Sequence, residues 1–240
     1  MNHKSFFVSL SLIMTLLPFT ALTAEPAEVP GRVVEFDAGE GVETGSSMEG
    51  GVKYWESVAG GINASQPMDL RQGIPVADGL NGRPGIRFKQ GAVMAANDLL
   101  VNAGDMSVVI VHASEAADGT NQYFVRSNLE PDTGDYLSVL QAGPTGMTGF
   151  FDGENRAMAK QQTGVEVLVW VFKGEEAKLY RNGVLVGSSP YKPSGIGGGV
   201  SIAHHYRGIL GTLAIYDHAL TDEERSRVEA PLLKKYSIKP

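Results

Sequence analysis

The 240-residue chain contains no cysteine. That excludes a disulfide-stapled scaffold, thiol catalysis, cysteine-ligated zinc and a lipid anchor on cysteine. It also has no excess of base, since 20 Lys and Arg stand against 27 Asp and Glu for a net charge of −7. Such a surface repels phosphate backbones and anionic lipid, which argues against nucleic acid and membrane surfaces as partners. Beyond the N-terminus no run is long and apolar enough to span a bilayer. No G-x-S-x-G, H-E-x-x-H or Walker pattern is present. The glycine run at residues 195–199 precedes a strand-like segment rather than opening a helix, so it does not fit a phosphate-binding loop.

What is present begins with a leader. Lys4 supplies a positive start, residues 6–19 are mostly apolar, and Ala21, Thr23 and Ala24 are small residues ahead of Glu25. This order predicts a signal peptide over residues 1–24 and hence a secreted or periplasmic protein. Those residues carry Lys4 and no acid, so the mature net charge falls to −8. Residues 25–31 (EPAEVPG) read as a short linker and residues 32–238 as one domain.

The domain has the punctuation of a β protein: 29 of the chain's 30 glycines, set between short runs of Val, Ile and aromatics. Residues 106–112 and 165–172 are the strongest strands. In the second, Val165, Val167, Val169 and Val171 share one face, and Leu168, Trp170 and Phe172 share the other. Glu166 is the one polar interruption, so the strand is expected in mid-sheet, covered on both sides. Asn182-Gly183 predicts a type I′ hairpin pairing Tyr180 with Leu185 and Leu179 with Val186. Further strands are expected at 123–127, 135–141, 147–151 and 200–206. Thr221 and Glu224 can form a capping box for a C-terminal helix, which Pro231 is expected to kink or break. Many short strands and one terminal helix predict an all-β, two-sheet antiparallel sandwich.

The segment Leu179-Tyr180-Arg181-Asn182-Gly183-Val184-Leu185-Val186 resembles the "lYvNGvlv" hairpin of bacterial laminin-G-like jelly-roll domains. Tyr206-Arg207-Gly208 is similar to their "FxG", residues 215–224 (IYDHALTDEE) to "iYdraLsdeE", and residues 233–238 (LKKYSI) to the "LaaKYgi" tail. Upstream, Trp55, Gly60 and Gln66, then Arg83-Pro84 and Ile86-Arg87-Phe88, resemble further family segments. The chain departs from the pattern at Thr212 and Glu56, where the family carries an acid and Asp. The resemblance implies a concanavalin A-like jelly roll and a non-catalytic module recognising carbohydrate or an extracellular or envelope surface. The wider superfamily also contains glycosidases and lyases, so a glycoside hydrolase or polysaccharide lyase is the alternative.

For catalysis the candidates are Glu35 and Asp37, which share one side of a strand. They are similar to the E-x-D-x-E strand of concanavalin-like glycosidases, although position 39 is Gly. A retaining mechanism needs the two carboxyls about 5–5.5 Å apart. His204 and His205, adjacent on an expected strand, should face opposite ways and share no metal. An exposed His205 beside Tyr206 is a candidate for lining a ligand loop. Tyr191, between Pro190 and Pro193, is the first candidate for an exposed ring that stacks on sugar, with Tyr54 and Phe151 next. The loops around Asp118 and Asn121, Asp132 and Asp135, and Asp152 offer the oxygen ligands calcium takes, a reading the resemblance favours. The expected partner is a polysaccharide or glycoconjugate, or an extracellular protein.

Overall fold

A computed structural model describes residues 28–45, 50–101, 104–115, 121–127, 137–142 and 146–239. The leader, Asp118, Asp132 and Asp135 lie outside the described residues. The first strands are β1 (Arg32–Asp37), β2 (Val42–Thr44), β3 (Val52–Glu56), β4 (Asn63–Ser65), β5 (Ile74–Val76), β6 (Gly85–Phe88) and β7 (Met94–Ala96). Then come β8 (Met106–Ser114), β9 (Gln122–Ser127), β10 (Ser138–Ala142), β11 (Met147–Phe151), β12 (Asn155–Lys160) and β13 (Gly164–Lys173). Last are β14 (Glu176–Arg181), β15 (Val184–Pro190), β16 (Val200–Ile202), β17 (Gly208–Tyr216) and the helix α1 (Asp222–Lys235).

They form two antiparallel sheets. One has the order β15-β14-β13-β8-β17-β6-β5, with β1 also paired to β17; the other runs β12-β11-β10-β9-β16-β7-β4-β3-β2. β17 serves two partners on one edge, pairing Gly208 to Leu210 with β6 and Thr212 to Tyr216 with β1. The expected jelly-roll sandwich with a C-terminal helix is the architecture found.

β13 sits between β8 and β14 as its two apolar faces require. Leu168, Trp170 and Phe172 join Trp55, Phe36, Phe88, Phe124 and Phe150 in the core between the sheets. Val167, Val169 and Val171 point the other way, into a second cluster with Val109, Val111, Leu220 and Tyr236. That cluster is where α1 docks. Each such side chain fully withdrawn from water stabilises by about 1.5–3 kcal/mol.

The hairpin departs from its expected register by one residue. Asn182 and Gly183 have φ of 50° and 85°, as a type I′ turn demands. Tyr180 pairs with Leu185, but Leu179 pairs with Gly187 across a bulge. A Cβ on Gly187 would lie 2.3 Å from the Met158 carbonyl oxygen, so the glycine also admits the close approach of β12.

Thr221 and Glu224 make the capping box. The expected break at Pro231 does not occur, because α1 is continuous through it. Residues on both sides of the proline, Val228 before it and Leu232 and Tyr236 after it, anchor to the same cluster. The docking also has an ionic part. Arg225 and Glu229 are buried and paired, Glu229 accepts the Gly183 N–H at 3.2 Å, and the Arg225 guanidinium lies 3.9 Å from the Tyr180 ring centre.

Candidate functional site

β1 carries Glu35 and Asp37 on the side away from Val34 and Phe36, which enter the inter-sheet core. There both carboxylates are engaged. Glu35 pairs with Arg32, and Asp37 pairs with Lys235 of α1 while accepting the Gly39 N–H at 2.8 Å. Burial pushes the Glu35 carboxyl up, and Arg32 beside it pulls back. Both acids are thus held by bases of the chain itself, one on the same strand and one on the closing helix.

Tyr191 is corrected from exposed to buried. It is 3% exposed, with its ring centre 4.8 Å from that of Phe172 and 5.9 Å from that of Phe150. Its hydroxyl donates to the Ser194 carbonyl at 2.7 Å and accepts the Ser194 N–H at 2.9 Å. The loop folds back over the sandwich instead of projecting, with the Tyr191 N–H donating to the Glu175 carbonyl at 2.8 Å. Tyr206 is also fully buried, with its hydroxyl 3.1 Å from the Ala113 carbonyl and 3.2 Å from His112 Nδ1. Burial raises its phenol pKa well above 10. Tyr206 belongs to an internal network in which His112 Nε2 lies 3.0 Å from Glu166, and Glu166 lies 2.5 Å from Arg181 Nε.

His204 and His205 lie in a turn, because β16 ends at Ile202. Left-handed φ values at Ala203 (62°) and His205 (57°) bring the two rings to 4.2 Å, so they share a side instead of facing opposite ways. His205 is exposed as expected.

Of the oxygen-rich loops, Asp152 and Asn121 are described. Asp152 is buried and its oxygens are taken: Oδ1 lies 3.1 Å from Arg156 Nε, and Oδ2 accepts the Lys192 N–H at 2.9 Å. To coordinate a cation this carboxylate would have to exchange a guanidinium or a backbone amide for it. Among the described residues no group of three or more His, Asp or Glu is placed to hold a metal ion. Replacing Asp152 by Ala strands buried donors, so a loss of about 1–3 kcal/mol is expected. Thermal melts should show the same loss with calcium and with chelator; a loss seen only with calcium would assign Asp152 to the ion.

With α1 on the eight-stranded sheet, the outward face of the nine-stranded sheet is the one on which no α-helix packs among the described residues. Register places Glu43, Tyr54, Ser65, Ala95, Ser201 and Arg126 in one row across it. Their strand neighbours Trp55, Ala64, Met94, Ala96, Ile202 and Val125 point into the core. Three small residues thus floor the middle of the row, and larger ones rise at its ends. At one end Tyr54, 40% exposed, stands with Glu43, Glu56 and Asn63 around a depression. Lys53 Nζ sits over the Tyr54 ring at 5.2 Å. At the other end Gln90, Asn121, Tyr123, Arg126, His204 and His205 line a pocket of about 300 Å³. Tyr54 and Arg126 are four strand spacings apart, about 19 Å.

The sequence did not single out Arg126, Tyr123 or the pairing of the two histidines. The signal was the segment Gln122–Ser127 (QYFVRS), whose alternation a bulge interrupts. Because β9 shifts register between Tyr123 and Val125, Tyr123 and Arg126 both lie at the pocket, while Phe124 and Val125 enter the core.

No protein-family model matches the sequence, and no curated protein matches it. Solved structures do share its fold. Trypanosoma rangeli sialidase in complex with sialic acid superposes with a TM-score of 0.57 at 12% identity, covering 87% of this chain and 34% of that one. The binding domain of Paraclostridial Mosquitocidal Protein 1 superposes with a TM-score of 0.58 at 9% identity, covering 85% and 52%. The chain therefore spans about a third of the length of the sialidase and half that of the toxin domain. At these identities the likeness shows the fold alone, a two-sheet antiparallel β-sandwich.

Proposed function

We propose that this chain is an exported, non-catalytic carbohydrate-binding module of the laminin-G-like jelly-roll type, using the outward face of its nine-stranded sheet. The observation that carries the reading is the row from Tyr54 to Arg126: an exposed ring, a floor of small residues and a polar pocket in line. An extended saccharide presents apolar ring faces that stack on tyrosine and hydroxyls that take up polar groups beyond. The engagement of Glu35 with Arg32 and of Asp37 with Lys235 supports binding over hydrolysis or elimination. Likeness in fold to a sialidase solved with sialic acid and to a toxin's binding domain is in keeping with a sugar or surface-recognition role. The leader read over residues 1–24 supports a secreted or periplasmic site of action.

The test is a glycan array followed by titration of each hit. Tyr54→Ala removes a half-exposed ring that the sugar would cover, a loss on the order of 1.5 kcal/mol. That corresponds to roughly tenfold weaker binding. The melting temperature should hold, since Tyr54 faces solvent. Turnover of a bound glycan would overthrow the non-catalytic reading. A blank array would point to a protein partner, and unchanged affinity in the variant would place the ligand elsewhere.

A further inference from the structure

The two ends of the row carry opposite electrostatic character. At the Tyr54 end two carboxylates, Glu43 and Glu56, face one amine, Lys53. At the other end Arg126 has no carboxylate partner among the described residues. Its contacts are His204 Nε2, 3.0 Å from Nη1, and the Tyr123 ring, 5.7 Å from the guanidinium carbon. A guanidinium can only donate, so Nε2 of His204 accepts, and the ring is neutral with its proton on Nδ1. The surroundings agree: burial first, then the charges of His205, Arg126 and Arg71, hold the His204 pKa down to about 4. Among the described residues, the charged groups that shift that ring are bases. In a chain with a net charge of −7, this is a local field of the opposite sign.

The pocket wall also carries unmet hydrogen-bonding capacity. Nδ1 of His204 and Oδ1 of Asn121 are both buried and both without a hydrogen-bond partner among the described residues. Unpaired buried polar atoms cost free energy that a polar ligand, or a water it holds, can recover. An exposed arginine with no carboxylate partner among the described residues, braced by an imidazole and a tyrosine ring, offers two parallel donors to a planar anion.

We infer that the pocket of Asn121, Tyr123, Arg126, His204 and His205 receives the anionic substituent of an acidic sugar, while neutral residues of the same saccharide extend towards Tyr54. This rests on the carbohydrate-binding reading and adds ligand charge and direction to it. A uniformly charged polyuronate is a poorer ligand, because its distal carboxylates would meet Glu43 and Glu56. The recognising chemistry is shared by carboxylate and sulfate, and the experiment separates them.

The probe is an array of oligosaccharides in which each uronic-acid member is paired with its carboxyl-reduced counterpart, and each sulfated member with its desulfated one. The wild-type chain should bind charged members with isolated acidic residues, and lose roughly tenfold or more towards their neutralised partners. Arg126→Gln should lose a similar factor on the charged member and clearly less on the neutral one, so that the preference within each pair collapses. Arg126→Lys should retain part, since it keeps the charge and loses the fork. Binding to the charged member should weaken as salt rises from about 0.05 to 0.5 M. Whether uronic or sulfated pairs respond identifies the anion. Hits confined to neutral glycans, with Arg126→Gln binding them as the wild type does, would overturn this inference and leave the carbohydrate reading standing. An array blank throughout would overturn both.

Discussion

Arg181→Met is expected to cost about 3–5 kcal/mol of folding stability, a large share of what a domain of this size possesses. Arg181, Glu166 and His112 lie on adjacent strands β14, β13 and β8 and are 7%, 4% and 0% exposed. Arg181 Nε lies 2.5 Å from Glu166, and its Nη2 donates to the Lys160 carbonyl at 3.0 Å. Glu166 in turn faces His112, whose Nδ1 meets Tyr206. Removing the arginine leaves Glu166 in the core with its principal counter-charge gone. The hydrophobic volume of Met replaces the stem but not the charge. Replacing Glu166 by Leu in the same chain should restore most of the loss, because two apolar side chains avoid the desolvation that the ion pair must offset. Urea denaturation of wild type, single and double variants measures both steps. A single variant within 1 kcal/mol of wild type would show that the ions gain little from each other. A double variant no better than the single would place the loss in packing.

Deleting residues 221–240 is expected to prevent cooperative folding. Tyr236 is 1% exposed and its hydroxyl lies 3.0 Å from Thr212 Oγ1; Lys235 holds Asp37; Leu232 and Val228 pack on the valine face of β8 and β13. Tyr236→Ala alone should cost about 3–5 kcal/mol as a large core truncation. The whole helix carries more, and its loss bares Val109, Val111, Val167 and Val169 as a continuous apolar strip. Exposed strips of that kind on a sheet drive association. Size-exclusion chromatography and thermal melts of the truncated chain should show aggregation or a melt without a sharp transition. A monomer melting as the full chain does would mean that the tail is not docked, and Tyr236→Ala would then also be silent.

The valine and aromatic alternation of Gly164–Lys173 determined that β13 is central and covered on both faces, since no other place hides both rows from water. Asn182-Gly183 determined the type I′ turn, and Thr221 with Glu224 determined where the helix begins, because backbone torsion and amide capping are local matters. Local rules failed wherever a distant segment had the deciding contact. The register at Leu179 shifts where Gly187 lies against β12, and α1 runs on through Pro231 with packed residues on both sides of it.

The same holds at the site. Tyr191, flanked by prolines, looked exposed until Phe150 and Phe172 enclosed it, whereas Tyr54, flanked by Lys53 and Trp55, proved open. Glu35 and Asp37 shared a strand face, as period-two geometry requires, but which sheet face α1 would cover is a property of the assembled sandwich. The row from Glu43 to Arg126 draws on six strands spread over residues 42–202, so no window of sequence contains it. The sequence by itself determined which residues alternate, turn and cap, because those choices depend on neighbours along the chain. Only the tertiary structure decided which face stays open and which charges meet there, because strand order and register bring together side chains that the chain keeps far apart.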